Sequence, residues 1–172
     1  MSRVPQDRHM GIRYYAYAFD ADMTALALAN PLSFISDDPL ADAWGMPHGA
    51  QVAVPSFVQS VPKADMLYLD KAWPSMQALT APSRAGETPR PAYRMFEGQV
   101  TMNGYGWLPW TRAIPPEEAV EIAEDLIELQ HSVSDDRATD QDVRYVLDFL
   151  QRAVEFLTQV AASNRGFVYM IG

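Results

Sequence analysis

The spacing of apolar residues predicts strands near both ends of the chain, with helices between and after them. Residues 11–18 read GIRYYAYA, placing Arg13, Tyr15 and Tyr17 on one alternation and Tyr14 on the other. That period of two predicts a strand covered at least partly on both faces. Asp20 is positioned to cap a helix over DADMTALALAN, with Met23, Leu26 and Ala27 on one face and Pro31 as its stop. A second short helix is predicted in DDPLADAWG, from an Asp38 cap and Pro39 at the first helical position to Gly45 at the exit. Residues 46–64 contain Pro47, Pro55 and Pro62 and predict a long ordered loop, with at most a short extended piece near Gln51–Val54.

The apolar run Met66–Leu69 leads into a helix that Asp70 would cap, with Trp73, Met76 and Leu79 or Thr80 as its stripe. Pro74 falls in the first turn, where a missing N–H breaks no helical bond. Residues 81–91 carry Pro82, Gly86, Pro89 and Pro91 and form the expected flexible segment. Strands are predicted over Tyr93–Val100 and Leu108–Ile114, joined by TMNGYG, where Asn103-Gly104 suits a tight hairpin turn. Pro116-Glu117-Glu118 starts a helix running to about Gln130, its acids set against the positive end of the dipole. Thr139, with Asp142 three residues on, starts another in the manner of a capping box. Its seam is Val143, Val146, Leu150, Ala153, Leu157 and Val160, broadened by Tyr145, Phe149 and Phe156 on one flank and by Leu147 and Val154 on the other. So wide a stripe suits a central core helix better than a helical partner. After Asn164-Arg165-Gly166, FVYMI predicts a last strand. The expected fold is a single α+β domain: a small mixed or antiparallel sheet packed against several helices, two of them long and C-terminal.

Composition narrows this picture. A chain of 172 residues suits one hydrophobic core, and 48% hydrophobic with 20% charged residues argues against wholesale disorder. The absence of cysteine excludes disulfides, thiolate chemistry and Cys-ligated metals. Residues 1–9 are polar and are expected to form a flexible leader, with Met10 as an alternative start and the domain running from 10 to 172. With neither a signal-type apolar core nor a spanning run, the expectation is a cytoplasmic protein without a membrane partner.

The net charge of −9 is unevenly distributed. Between Pro115 and Val160 lie Glu117, Glu118, Glu121, Glu124, Asp125, Glu128, Asp135, Asp136, Asp140, Asp142, Asp148 and Glu155, against Arg137, Arg144 and Arg152. Between Val61 and Arg112 the balance reverses, with Lys63, Lys71, Arg84, Arg90, Arg94 and Arg112 outnumbering the acids. An acidic surface of this kind argues against nucleic acid, which requires clustered Lys and Arg. It steers a basic protein toward it, although a solvated helix surface accounts for the same charges.

No motif supplies a chemistry. His9, His48 and His131 are scattered, and no nucleophile elbow, phosphate loop or dinucleotide fingerprint occurs. His48 has the pKa range of a general base but no recognisable nucleophile near it in sequence. Asp37, Asp38 and Asp42 form one acidic cluster, and Asp135, Asp136, Asp140 and Asp142 form another. Counted from Asp135, the sixth and twelfth positions are Asp140 and Val146, where an EF-hand needs glycine and a bidentate acid. Helix capping explains both clusters, so neither a metal nor another cofactor is expected. The aromatic density around GYGWLPW, with Trp44 and Trp73 elsewhere, is open to two readings: tryptophans closing the end of a core, or an exposed anchor. Candidate ligand-binding residues are Asp70, Lys71, Trp73, Trp107, Trp110 and Arg112.

Taken together, MGIRYYAYAFDAD, LDKAW followed by a helix ending in ALT, LPWTRAIPPEEAVEIAEDL and the closing GFVYMI resemble the YfbM-like family of small bacterial proteins. LDKAW, Leu69–Trp73, is the most specific of these pieces, and the resemblance spans most of the chain from Met10. It departs from the family at Pro115, where such proteins tend to carry a capping Thr, and in the proline-rich stretches 46–63 and 81–91. The resemblance implies a small α+β domain and, since no activity is assigned to the family, no catalytic residues. Functionally, the sequence points to a non-enzymatic protein-binding module, immunity- or antitoxin-like, with an acidic helical face. The alternatives are a small-molecule binder or hydrolase with a pocket near Asp70, Trp73 and Arg112, or a structural role in a homo-oligomer. Sequence leaves the oligomeric state open.

Overall fold

The computed structural model describes residues 11–44, 62–134 and 141–172. The expected leader, the Gly45 exit, the 46–61 part of the long loop with its extended piece, His48 and the Thr139 cap all lie outside the described residues.

Four strands form one antiparallel sheet in the order β2-β1-β6-β5: β1 Tyr14–Phe19, β2 Met66–Asp70, β5 Trp110–Ile114 and β6 Gly166–Ile171. The chain's first and last strands are therefore the sheet's two central ones, with Tyr14 opposite Ile171 and Phe19 opposite Gly166. Gly166 is required there, because the Ile114 carbonyl and the Phe19 ring leave no room for a Cβ. Five α-helices complete the described fold: α1 Thr24–Ala29, α2 Pro39–Trp44, α3 Trp73–Thr80, α4 Pro116–Ser134 and α5 Gln141–Ala162. This is the expected α+β class, with an antiparallel sheet and two long C-terminal helices.

Both faces of the sheet are covered, which is why β1 and β6 are apolar on both alternations. On one face Tyr14, Ala16, Leu67, Leu69, Phe167, Tyr169 and Ile171 join the main core with Met76 of α3, Ile122 and Leu126 of α4, and Leu150, Ala153 and Leu157 of α5. On the other, Phe19, Ala113 and Val168 pack with Ala27, Phe34 and Ile35, while Tyr15, Tyr17 and Met66 pack with Leu40 and Ala43. The Tyr17 hydroxyl donates to the buried Asp42 carboxylate at 3.0 Å and so fastens α2 to the sheet.

Several local expectations give way to tertiary context. The expected strand Leu108–Ile114 is cut at Pro109, so that only Trp110–Ile114 joins the main sheet. The expected strand Tyr93–Val100 does not form: residues 96–100 contain no regular element, and residues 91–95 are a 3-10 helix burying Ala92 and Met95. Asp125 of α4 holds this turn in place: its carboxylate accepts two bonds from Arg90, at 2.9 and 2.8 Å, and one from the Ala92 N–H at 2.8 Å. Asp20 makes no side-chain cap and instead faces the Arg165 guanidinium at 3.0 Å, and of its helix face only Ala27 is buried. Asp38 does cap α2, accepting from the Ala41 N–H at 3.1 Å. Helix α4 runs past Gln130 to Ser134. Residues 81–90 contain no regular element, and most are exposed.

Candidate functional site

Residues 101–108, TMNGYGWL, form a two-stranded ribbon separate from the main sheet, β3 Thr101–Asn103 and β4 Gly106–Leu108. Asn103 pairs with Gly106, so the two-residue turn is Gly104-Tyr105, one position later than the Asn103-Gly104 turn expected from sequence. Gly104 has φ +60 at the first central position, where a II′ turn needs glycine. The register pairs Met102 with Trp107 on one face and Thr101 with Leu108 on the other. Tyr105 at the tip is fully exposed, Leu108 is 56% exposed and Met102 66%.

The four tryptophans divide. Trp73 is 4% exposed and donates through Nε1 to the Ile12 carbonyl at 3.3 Å. Trp107 and Trp110 are 40% and 37% exposed, and the side chain of Trp44 lies outside the described residues. The Trp107 ring stands over Gly11, and the Trp110 indole lies so close to Gly98 that a Cβ there would collide with it. Gly98 also has φ +134, which a side chain would strain.

Between Trp73 and the chain leading into the ribbon is a cavity of about 650 Å³, lined by Ile12, Trp73, Gln77, Gly98, Gln99, Val100 and Met102. Gln77 fixes its far wall, with Nε2 donating to the Phe96 carbonyl at 2.7 Å and the Gly98 carbonyl at 2.8 Å. Sequence reasoning found Trp73 but missed the rest of this lining. Gly98, inside a segment expected to be a strand, was the available signal, since such a glycine often marks a close approach.

Arg112 does not line the cavity. It sits on β5 beside Glu97, at 3.0 Å, and the Arg94 carbonyl, at 3.4 Å, while Arg94 itself pairs with Glu121 of α4 at 2.7 Å. Contacts thus run without a break from Trp110 through Gly98, Glu97, Arg112 and Arg94 to the acidic helix. The Tyr169 hydroxyl secures this strip: it lies 2.7 Å from the Glu97 carbonyl and 3.0 Å from the Arg94 carbonyl, and its one hydrogen is donated between them. Burial pushes the Tyr169 phenol up to about 12, against the opposing pull of Trp110 and Arg112.

Asp70 and Lys71 lie apart from the other candidates. Asp70 ends β2 with φ +46, next to a register shift in its pairing with β1. It does not cap α3, whose N-cap is Ala72 without a side-chain bond. Its carboxylate instead accepts from Arg13 Nε at 3.3 Å and from the Tyr68 and Tyr145 hydroxyls, each at 2.9 Å. Those three donors hold the strand end against α5 and account for the strained backbone. Lys71 is exposed and makes no ion pair among the described residues.

On α4, Glu117, Glu121, Glu124 and Glu128 share one exposed arc, bordered by the exposed Val120 and Ile127. The exposed surface of α5 is mixed, with Arg144 and Arg152 among Asp142, Asp148 and Glu155. The acidic face is therefore that of α4. Among the described residues no three His, Asp or Glu side chains are grouped to hold a metal ion, and no helix is long and apolar enough to cross a membrane. Compared with known protein families, curated proteins and solved structures, the chain matches none of them.

Proposed function

We propose that this chain is a non-enzymatic, cytoplasmic protein-binding module of the YfbM-like bacterial kind, whose partner is a basic protein. The observation that carries this reading is the ribbon with the first residue of β5 beside it: Met102, Tyr105, Trp107 and Leu108 of the ribbon and Trp110 of β5 all remain exposed within nine residues. Contiguous exposed apolar surface marks interaction sites, and Tyr and Trp are the residue types that most often anchor them. The arc of glutamates on α4, linked to Trp110 through the Glu97–Arg112–Arg94 strip, provides the steering field, so the partner's surface around its apolar contact should carry Lys and Arg. An immunity- or antitoxin-like role, in which the module masks a basic protein, follows from the same charge complementarity.

The test is affinity capture from the native host using the full chain and the double variant Tyr105→Ser, Leu108→Ser. The expected result is a basic protein captured by the wild type, released by moderate salt and absent from the variant. Capture that is insensitive to both salt and the ribbon variant overturns the reading.

A further inference from the structure

The cavity beside Trp73 supports a second inference that does not depend on the docking reading. We propose that it is a binding site for an uncharged, flat, largely apolar molecule that donates one hydrogen bond to Gln77 Oε1. At about 650 Å³ it lies within the range of small-molecule sites.

The lining defines the ligand class. It contains no ionisable side chain, so a phosphate, carboxylate or ammonium group would be desolvated there without a counter-charge. Trp73 is buried and its only N–H is committed to the Ile12 carbonyl, leaving ring surface to face the cavity. Rigid aromatic surface of this kind favours a planar partner in offset or edge contact. Val100 and Met102 add apolar contact, that of Met102 adaptable.

Gln77 and Gln99 are the polar side chains of the lining, and of the two Gln77 is the one whose orientation is fixed. Both groups facing its amide on the wall side are carbonyls, so the atom bonded to them must be the NH₂ group. That fixes the orientation of the amide and leaves Oε1 as an acceptor with no donor bonded to it among the described residues. The ligand must therefore bring an N–H or O–H. The wall is also braced against collapse: Gln77 holds residues 96–98 by two bonds, and Trp110 packs on Gly98 from the side. A site formed before binding loses little to ordering when occupied.

Indole serves as the probe, titrated into ¹⁵N-labelled full-length protein and followed by NMR at the Trp73 Nε1–H and Gln77 side-chain amide signals. N-methylindole, with the same shape but no donor, and indole-3-acetate, with an added charge, are the controls. Saturable shifts of both signals with indole are expected, with N-methylindole binding about fivefold weaker, the loss of one neutral hydrogen bond, and indole-3-acetate not entering. Val100→Trp, filling the cavity, should abolish the shifts; Leu108→Ala, on the other face of the ribbon, should retain them and guards against loss through misfolding. Absence of a saturable shift at Trp73 and Gln77, shifts confined to Trp107 and Trp110, or equal binding of all three compounds overturns the proposal. Capture of a protein partner by the ribbon is read in a separate experiment, so either proposal can fail while the other stands.

Discussion

The four-stranded sheet and the two-stranded ribbon are built from similar residues and have opposite fates. Both are antiparallel and rich in aromatics. In the sheet, Tyr14, Phe167 and Tyr169 are fully buried, with Tyr14 stacked on Tyr169 at 5.4 Å between ring centres. In the ribbon, Tyr105 and Leu108 face solvent. Residue type does not separate the two. The sheet has helical layers over both faces, whereas the ribbon touches the body along one side, through Trp107 at Gly11 and Met102 at the cavity. Isolated two-stranded hairpins are marginal in water, so the ribbon's form depends on that one-sided contact. Its apolar residues contribute little to the core, which is why their exposure calls for a functional explanation.

Substitutions can break or sharpen this contrast, and the largest effect belongs to the sheet. Phe167→Ala removes a fully buried ring packed against Phe156 and should cost about 3–5 kcal/mol in denaturant unfolding. A cost near that of a ribbon substitution would show that the two regions are not energetically distinct.

Asp125→Ala should follow at about 2–3 kcal/mol, because it strands the Arg90 guanidinium and the Ala92 N–H. Burial raises the Asp125 pKa, but the bonds from Arg90 and Ala92 outweigh it and hold the carboxyl below its usual range. The unfolded chain therefore takes up this proton first, near pH 4. The stabilisation is complete above that value and is lost as pH falls through the lower folded pKa. Acid unfolding of Asp125→Asn should accordingly depend less on pH, whereas ribbon variants should leave the acid profile unchanged, since residues 101–108 carry no group titrating there.

Gly98→Ala acts at the joint between the two regions and should cost about 2 kcal/mol through its positive φ and the Trp110 contact. Increased quenching of tryptophan fluorescence should accompany that loss as Trp110 is displaced.

The smallest effects test the contrast most finely. The Tyr14 hydroxyl is buried with no hydrogen-bond partner among the described residues, and burial drives its pKa well up. Tyr14→Phe removes that unsatisfied group and should raise stability by about 1 kcal/mol. The same change at the exposed Tyr105 should fall within about 0.5 kcal/mol of zero. If the two changes give the same result, the proposed difference in burial is wrong at these positions.

Much of the fold was legible because the period of the apolar pattern is itself a statement about faces. Tyr14–Phe19 and Gly166–Ile171 are apolar on both alternations and are the buried central strands. The wide seam of α5 lies in the core at Leu150, Ala153, Leu157 and Val160, but its first members, Val143 and Val146, are only half-buried and stand outside it. Legibility failed where a polar side chain had a local option and a distant one. Asp70 reads as a cap from its neighbours, yet its donors are 57 and 75 residues away for Arg13 and Tyr145. Of the site residues named from sequence, the structure gathers Trp73, Trp107 and Trp110 around the cavity and ribbon. It sets Arg112 on the neighbouring strip and Asp70 with Lys71 at the far end of β2.

The sequence by itself determined the class of fold, the absence of cysteine chemistry and the concentration of acid after residue 115, because periodicity and composition are local properties of the chain. Tertiary structure alone decided which acids form a surface. It buries Asp125 on Arg90 and lays four glutamates along α4, while mixing the charges of α5 with arginines. It also decided that Tyr105 and Leu108 stay in solvent while Trp107 and Trp110 are only partly exposed, against Gly11 and Gly98, since an aromatic segment is core or anchor according to whether another layer reaches it. At Gly98, where the Trp110 indole takes the place of a side chain, that outcome rests on a contact between residues twelve positions apart, which no local pattern encodes.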